Sequence, residues 1–262
     1  MPLDYLAHLR AESDRFLATL HGADPVARVP SCPDWDADDL LWHLGEVQEF
    51  WGLVVEGRLQ EPPLDQKSSR PDSRAGLLEF FEAQTERLER VLRDADPAEA
   101  VWMWSNDRTV GYVRRRQAHE ALIHRVDAEL TAGTTVTPLD PDLASDGVLE
   151  LLDMMYGGCP DWGTFEPGGD RIDVRTTDTG IAVPVVLGHF TGTDPDDGTQ
   201  YDEEDLSVQA ADPGIVPAVT VTGDAATLDA WMWHRADDAG VTIEGDPHVA
   251  ERFLTLLKHP LN

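Results

Sequence analysis

Six consecutive residues, His119-Glu120-Ala121-Leu122-Ile123-His124, put two imidazoles and a carboxylate close together in the chain. Imidazole nitrogens and carboxylate oxygens are ordinary ligands of zinc and its first-row neighbours, so the stretch is a candidate half of a metal site. The zinc-protease signature H-E-x-x-H keeps both histidines on one helical face, and here one extra residue intervenes. On an ideal helix, positions four apart differ by about 40° and positions five apart by about 140°. Glu120 and His124 therefore share a face, while His119 points to the side as a packing residue. Asp127, three residues beyond His124, joins that face and is placed to orient the imidazole through its second nitrogen. A plainer reading of the pair is an i,i+4 contact on a polar helix surface.

A third ligand has to come from another helix. His43 lies three residues after Leu40 and four before Val47, on the flank of an apolar stripe. His8 occupies a less clearly inward face, and His21 sits at a helix end. Two imidazoles and one carboxylate leave coordination positions open, the pattern of a catalytic rather than a structural metal. The set suits a divalent ion, zinc first, with iron or nickel also compatible.

These residues need helices to position them, and the first half of the chain supplies four. Leu3–Leu20 has apolar residues at helical spacing, and the prolines of VPSCPDWDADD interrupt the pattern. Asp36 is placed to cap a second helix running to about Glu56, with Asp38 and Asp39 in its first turn. A third helix is expected around Ala75–Arg93. The fourth carries the histidine motif from Arg114 and ends near Gly133. Four amphipathic helices make a four-helix bundle.

The second half changes period. A helix at Ser145–Tyr156 leads into the Gly/Pro-rich stretch GGCPDWGTFEPGGD, followed by strand-like RIDVRTT and GIAVPVVLG around a turn at Asp178-Thr179-Gly180. AVTVTGDAATLDAWMW and GVTIEGDPHVAERFLTLL each run from a β-branched strand through Gly-Asp into a helix, with Asp224 and Asp246 as N-caps. The fold class is α+β: residues 1–142 form the helical bundle and residues 143–262 a smaller α/β sandwich.

Bulk properties narrow the partners. The 262 residues are 41% hydrophobic and 27% charged, a globular composition. A net charge of −30 excludes nucleic acid and anionic membrane surfaces, which would repel the chain before contact. No apolar run approaches the ~18 residues of a membrane span, and the N-terminus lacks the pattern of an export signal. A cytoplasmic protein, monomeric or weakly dimeric, with Cys32 and Cys159 reduced, is the expectation. Cys32 precedes Pro33 with no adjacent base and reads as a small packing residue rather than a nucleophile.

The segment VPSCPDWDADDLLWHLGEVQEFW, with HEALIHRVDAEL further on, resembles the mycothiol-dependent maleylpyruvate isomerase family. GDAATLDAWMWHR and IEGD extend the likeness to the second half. Asp34 departs from the glycine the family often carries between proline and tryptophan. The resemblance implies a DinB-like metal-binding bundle and a C-terminal domain similar to sterol carrier protein. It also implies a divalent metal, usually zinc, on His43, Glu120 and His124, and mycothiol as the working thiol. Arg235 matches a family arginine and would clamp a substrate carboxylate; as a plain structural feature it is a cation near a helix C-terminus. The implied partners are a small electrophile and a small thiol. A cis–trans isomerase of maleylpyruvate type is the leading expectation. Thiol S-transfer, metal-dependent hydrolysis and non-catalytic binding are its alternatives.

Overall fold

The structure, a computed structural model, describes residues 3–212, 214–259 and 261. The chain divides into two compact units, one up to Pro138 and one from Leu139.

The first unit is the expected helical bundle. Its helices are α1 (Tyr5–Gly22), α2 (Ala37–Gly57), α3 (Arg74–Asp94) and α4 (Val110–Thr131). Each starts on a polar cap. Asp4, Ser73 and Thr109 accept backbone N–H bonds at the heads of α1, α3 and α4, and Asp36 makes a reciprocal capping box with Asp39 at α2. The Thr109 cap starts α4 one turn before Arg114. α1 packs on α4 and α2 on α3 around Phe16, Leu20, Leu40, Leu41, Leu44 and Phe81, all almost wholly buried. The proline-interrupted segment before α2 is a short hairpin of β1 (Arg28–Val29) and β2 (Cys32–Asp36) that packs against this core through Val29.

α4 is buried along most of its length although it is rich in polar residues. Burial of a charge is costly unless it is paired, and α4 supplies the partners. Arg125, fully buried, donates to Glu12 of α1 at 2.7 Å, to Glu129 one turn on at 2.8 Å and to the Thr137 carbonyl at 2.8 Å. This network fixes the rotation of α4 about its axis, and with it the direction in which Glu120 and His124 point.

The second unit opens with α5 (Pro141–Glu150), which begins earlier than expected because Asp140 caps it and Pro141 occupies the first helical position. A π-helical turn, Leu151–Met155, ends it. Five strands follow in the order β5-β4-β3-β6-β7: β3 (Gly163–Thr176), β4 (Ala182–Thr193), β5 (Gln200–Val208), β6 (Val219–Gly223) and β7 (Thr242–Gly245). β3 and β6 are parallel and the other pairs antiparallel. α6 (Ala225–Met232) and α7 (Pro247–Leu256) start at Asp224 and Asp246, as expected from the Gly-Asp repeats.

Two strands depart from the sequence reading. Half of β3 is the GTFEPGG stretch expected as loop, absorbed into the sheet by a register shift between Pro167 and Arg171. β5, QYDEEDLSV, is acidic and was not expected as a strand; as an edge strand it leaves Asp202 and Glu203 exposed and Glu204 and Asp205 half-buried. Cys32 and Cys159 are not joined by a disulfide, and no helix among the described residues is long and apolar enough to cross a membrane.

Candidate metal centre

Three side chains converge on the inner face of the bundle. His43 comes from the second turn of α2, and Glu120 and His124 from successive turns of α4. Nε2 of His124 lies 3.2 Å from Glu120 Oε1, and Nε2 of His43 lies 3.6 Å from the same oxygen. The two imidazoles meet edge to face, centroids 4.9 Å apart at 77°. Trp35 of β2 packs on the outer side of the His43 ring at 4.6 Å. Side-chain exposure falls from 27% at His43 through 19% at Glu120 to 8% at His124, so the cluster opens to solvent on the His43 side.

The remaining polar atoms are held from behind. Asp127, fully buried, accepts from Nδ1 of His124 at 2.9 Å, which leaves Nε2 directed at the other two groups. Its second oxygen accepts from the Ser31 hydroxyl, carried in by the β1–β2 hairpin. Arg116, one turn before Glu120, approaches that residue's second oxygen at 3.4 Å.

Electrostatics follow from this packing. Burial alone would push the Glu120 carboxyl up, but hydrogen bonds from His124 and His43 and the charges of His124 and Arg116 hold it well below the usual carboxylate range. Burial works against a charged His124 as well. Its bonds to Asp127 and Glu120 override that and raise the imidazole to about 9.

The donor set fits a small divalent cation. One ligand atom from each of His43, Glu120 and His124 lies within 4.8 Å of the others. Two ligands bound at about 2.1 Å in tetrahedral geometry stand roughly 3.4 Å apart, close to the 3.2 and 3.6 Å separations here. His119 is not part of the cluster. It is buried against the Tyr5 ring on another face of α4, as the five-residue offset predicts.

Arg235 belongs to the second unit. It follows His234, whose backbone is left-handed at φ 60°, just past the end of α6. Its guanidinium donates to the Trp233 carbonyl at 2.6 Å and lies 5.9 Å from the centre of the Trp233 ring. Sequence reading did not single out Ser31 or Arg116. Arg116 was open to it, standing four residues before Glu120 on the same face. Ser31 was not, since only the hairpin brings it to Asp127.

Comparison with known proteins finds a family model for each half of the chain. Residues 6–129 match the family model of the mycothiol maleylpyruvate isomerase N-terminal domain, and residues 142–252 match that of the C-terminal domain of the same family. Among solved structures, the crystal structure of the mycothiol-dependent maleylpyruvate isomerase superposes with a TM-score of 0.58 at 15% identity, over 93% of each chain. A histidine-to-alanine mutant of that enzyme superposes equally, TM-score 0.58 at 14% identity over 93% of each chain. At these identities the likeness speaks for the fold. No curated protein matches the sequence.

Proposed function

Since this chain belongs to the mycothiol maleylpyruvate isomerase family, we propose that it is a metal- and thiol-dependent enzyme acting on a small electrophilic acid, with cis–trans isomerisation of a maleylpyruvate-type substrate as its reaction. The observation that carries the reading is the convergence of His43, Glu120 and His124, with Asp127 behind His124, on one opening of the bundle. These three residues hold the metal, zinc in this reading, and mycothiol is the thiol. When bound, the metal supplies Lewis acidity that keeps a thiol sulfur deprotonated, and the thiol supplies a nucleophile for reversible addition to the substrate double bond.

The chain's own residues prepare that chemistry. Asp127 accepts the hydrogen bond from Nδ1–H of His124, so that the neutral imidazole turns the lone pair of Nε2 to the site. Arg116 offsets the charge of Glu120 and keeps its carboxylate turned inward. His43, the most exposed of the three, borders the side from which thiol and substrate enter. Arg235 is the proposed clamp for the substrate carboxylate, a role suited to a guanidinium's paired donors.

Two measurements test this. Purified protein should contain about one equivalent of metal, lost in the triple variant His43→Ala, Glu120→Ala, His124→Ala. Incubation with mycothiol and maleylpyruvate should form the trans isomer at constant thiol concentration. Thiol depletion would mean S-transfer instead, and thiol-independent turnover would point to hydrolysis. For the clamp, Arg235→Lys should raise KM for the acid substrate while leaving metal content unchanged.

A further inference from the structure

The second unit holds a cavity of about 340 Å³, bounded by β4 and β5 of the sheet, the segment after α5 and the end of α7. Strand alternation places Tyr201, Glu203 and Asp205 of β5 on one face, opposite Gly192, Phe190 and Gly188 of β4. Trp162, just before β3, completes a corner of three rings. Trp162 and Phe190 stand 5.6 Å apart at 72°, Trp162 and Tyr201 5.6 Å apart at 36°, and Phe190 and Tyr201 6.0 Å apart at 66°. Rings tilted in this way make a concave wall rather than a stack.

Glycines set the position of that wall. A Cβ at Gly163 would fall 2.2 Å from the Phe190 ring, and one at Gly192 would fall 2.8 Å from the Trp162 ring. The rings therefore lie directly on bare backbone, where any larger residue would lift them. Beside them, Glu203 and Asp205 also line the cavity. Burial pushes the Asp205 carboxyl up to about 6 despite its bond from the Leu206 N–H, with Glu203 adding to the push and His259 opposing it. Arg252 of α7 is already engaged by Glu204 and Asp170. The cavity thus combines aromatic faces with carboxylates and little compensating positive charge.

We propose that this cavity binds a small organic cation, an alkylated ammonium group seated against Trp162, Phe190 and Tyr201 and counter-charged by Glu203 and Asp205. Aromatic faces attract bulky, weakly hydrated cations, whereas a metal ion would use only the carboxylates. Among the described residues, the cluster with metal-ligand spacing is His43, Glu120 and His124, in the other unit. The site is distinct from the proposed metal centre, and its test is a binding measurement that does not depend on turnover.

The full-length protein is titrated with choline chloride at constant ionic strength, followed by tryptophan fluorescence and ligand-detected NMR. The neutral isostere 3,3-dimethylbutan-1-ol is run in parallel. Saturable choline binding is expected, at least about fivefold tighter than binding of the neutral compound and at least about fivefold weaker in Glu203→Gln and Asp205→Asn. Trp162→Ala should abolish it, with circular dichroism melts to check folding; if that variant does not fold, the two carboxamide variants carry the test. Absence of saturable binding overturns the proposal. So does equal binding of the neutral isostere, or choline binding unchanged in both carboxamide variants.

Discussion

Replacing Asp127 with asparagine separates the residue that holds a proposed ligand from the ligands themselves. Asp127 is fully buried, and its two oxygens accept from His124 Nδ1 at 2.9 Å and from the Ser31 hydroxyl. Asparagine keeps the shape but removes the charge and turns one acceptor into a donor, so one of the two bonds is lost. Outer-shell partners of this kind tune metal affinity by about 10–100-fold, or about 1.4–2.7 kcal/mol. A second effect opposes the first. In the metal-free protein the bond to Asp127 helps hold the His124 imidazole at about 9, and losing it makes deprotonation easier. Near neutral pH that relief favours metal uptake and masks part of the loss. Competition of zinc against a chromophoric chelator should therefore be measured at pH 7.5 and again at pH 9.5, where the proton competes little. The deficit of Asp127→Asn should be larger at pH 9.5 than at pH 7.5, and Ser31→Ala should show a smaller deficit of the same kind. Affinity within twofold of wild type at both pH values would refute the positioning role.

In the unmodified protein, metal binding at pH 7 should release close to one proton, because neutral imidazole is needed for ligation and His124 is raised to about 9. Calorimetry in buffers of different ionisation enthalpy reads this directly, and absence of proton release would contradict the assignment. The same shift makes metal-free stability depend on pH. A raised imidazole contributes stability that is full below 6.5 and lost as pH rises through about 9, so the unfolding free energy from urea denaturation should fall across that window by up to about 3 kcal/mol. His119→Ala should cost about 1–3 kcal/mol in chemical denaturation yet leave metal stoichiometry unchanged, since His119 packs on Tyr5 away from the cluster. Asp36→Ala should cost about 0.5–2 kcal/mol by removing the capping box of α2, measured by the same denaturation.

Local rules reached much of this architecture because the features concerned are local. Asp36, Asp224 and Asp246 cap helices through bonds to N–H groups two or three residues away, so composition near each helix start was enough. The angular separation of His119 from His124 follows from helix geometry alone. What escaped is set by tertiary pairing. The GTFEPGG half of β3 and the acidic β5 lack the apolar alternation of a strand, and β4 between them supplies the hydrogen-bonding partner for both. Ser31 reaches Asp127 only because the hairpin folds back on α4, a contact with no signature in either segment. The start of α5 was missed for a different reason: Asp140-Pro141 is both a linker signal and a helix start, and the cap decides between them.

Charge balance links the buried polar character of α4 to the chemistry proposed for it. In the metal-free protein, Glu120 and Asp127 carry two negative charges in a site where protonated His124 and Arg116 carry two positive ones. That neutrality lets four ionisable groups remain packed inside a helical bundle, where an unmatched charge would cost several kcal/mol or shift its pKa. Entry of a divalent cation would displace the His124 proton and leave the set with one excess positive charge. A single anion restores the balance, and a deprotonated thiol is such an anion. The same count disfavours a thiol that keeps its proton, which would leave the excess uncompensated. On this reading Arg116 sets the charge that the incoming ligand has to carry. Its replacement by glutamine should therefore weaken binding of a thiol to the metal-loaded protein less than its replacement by glutamate, which adds a further negative charge beside Glu120. Equal thiol affinity in the two variants would separate Arg116 from the site's charge balance.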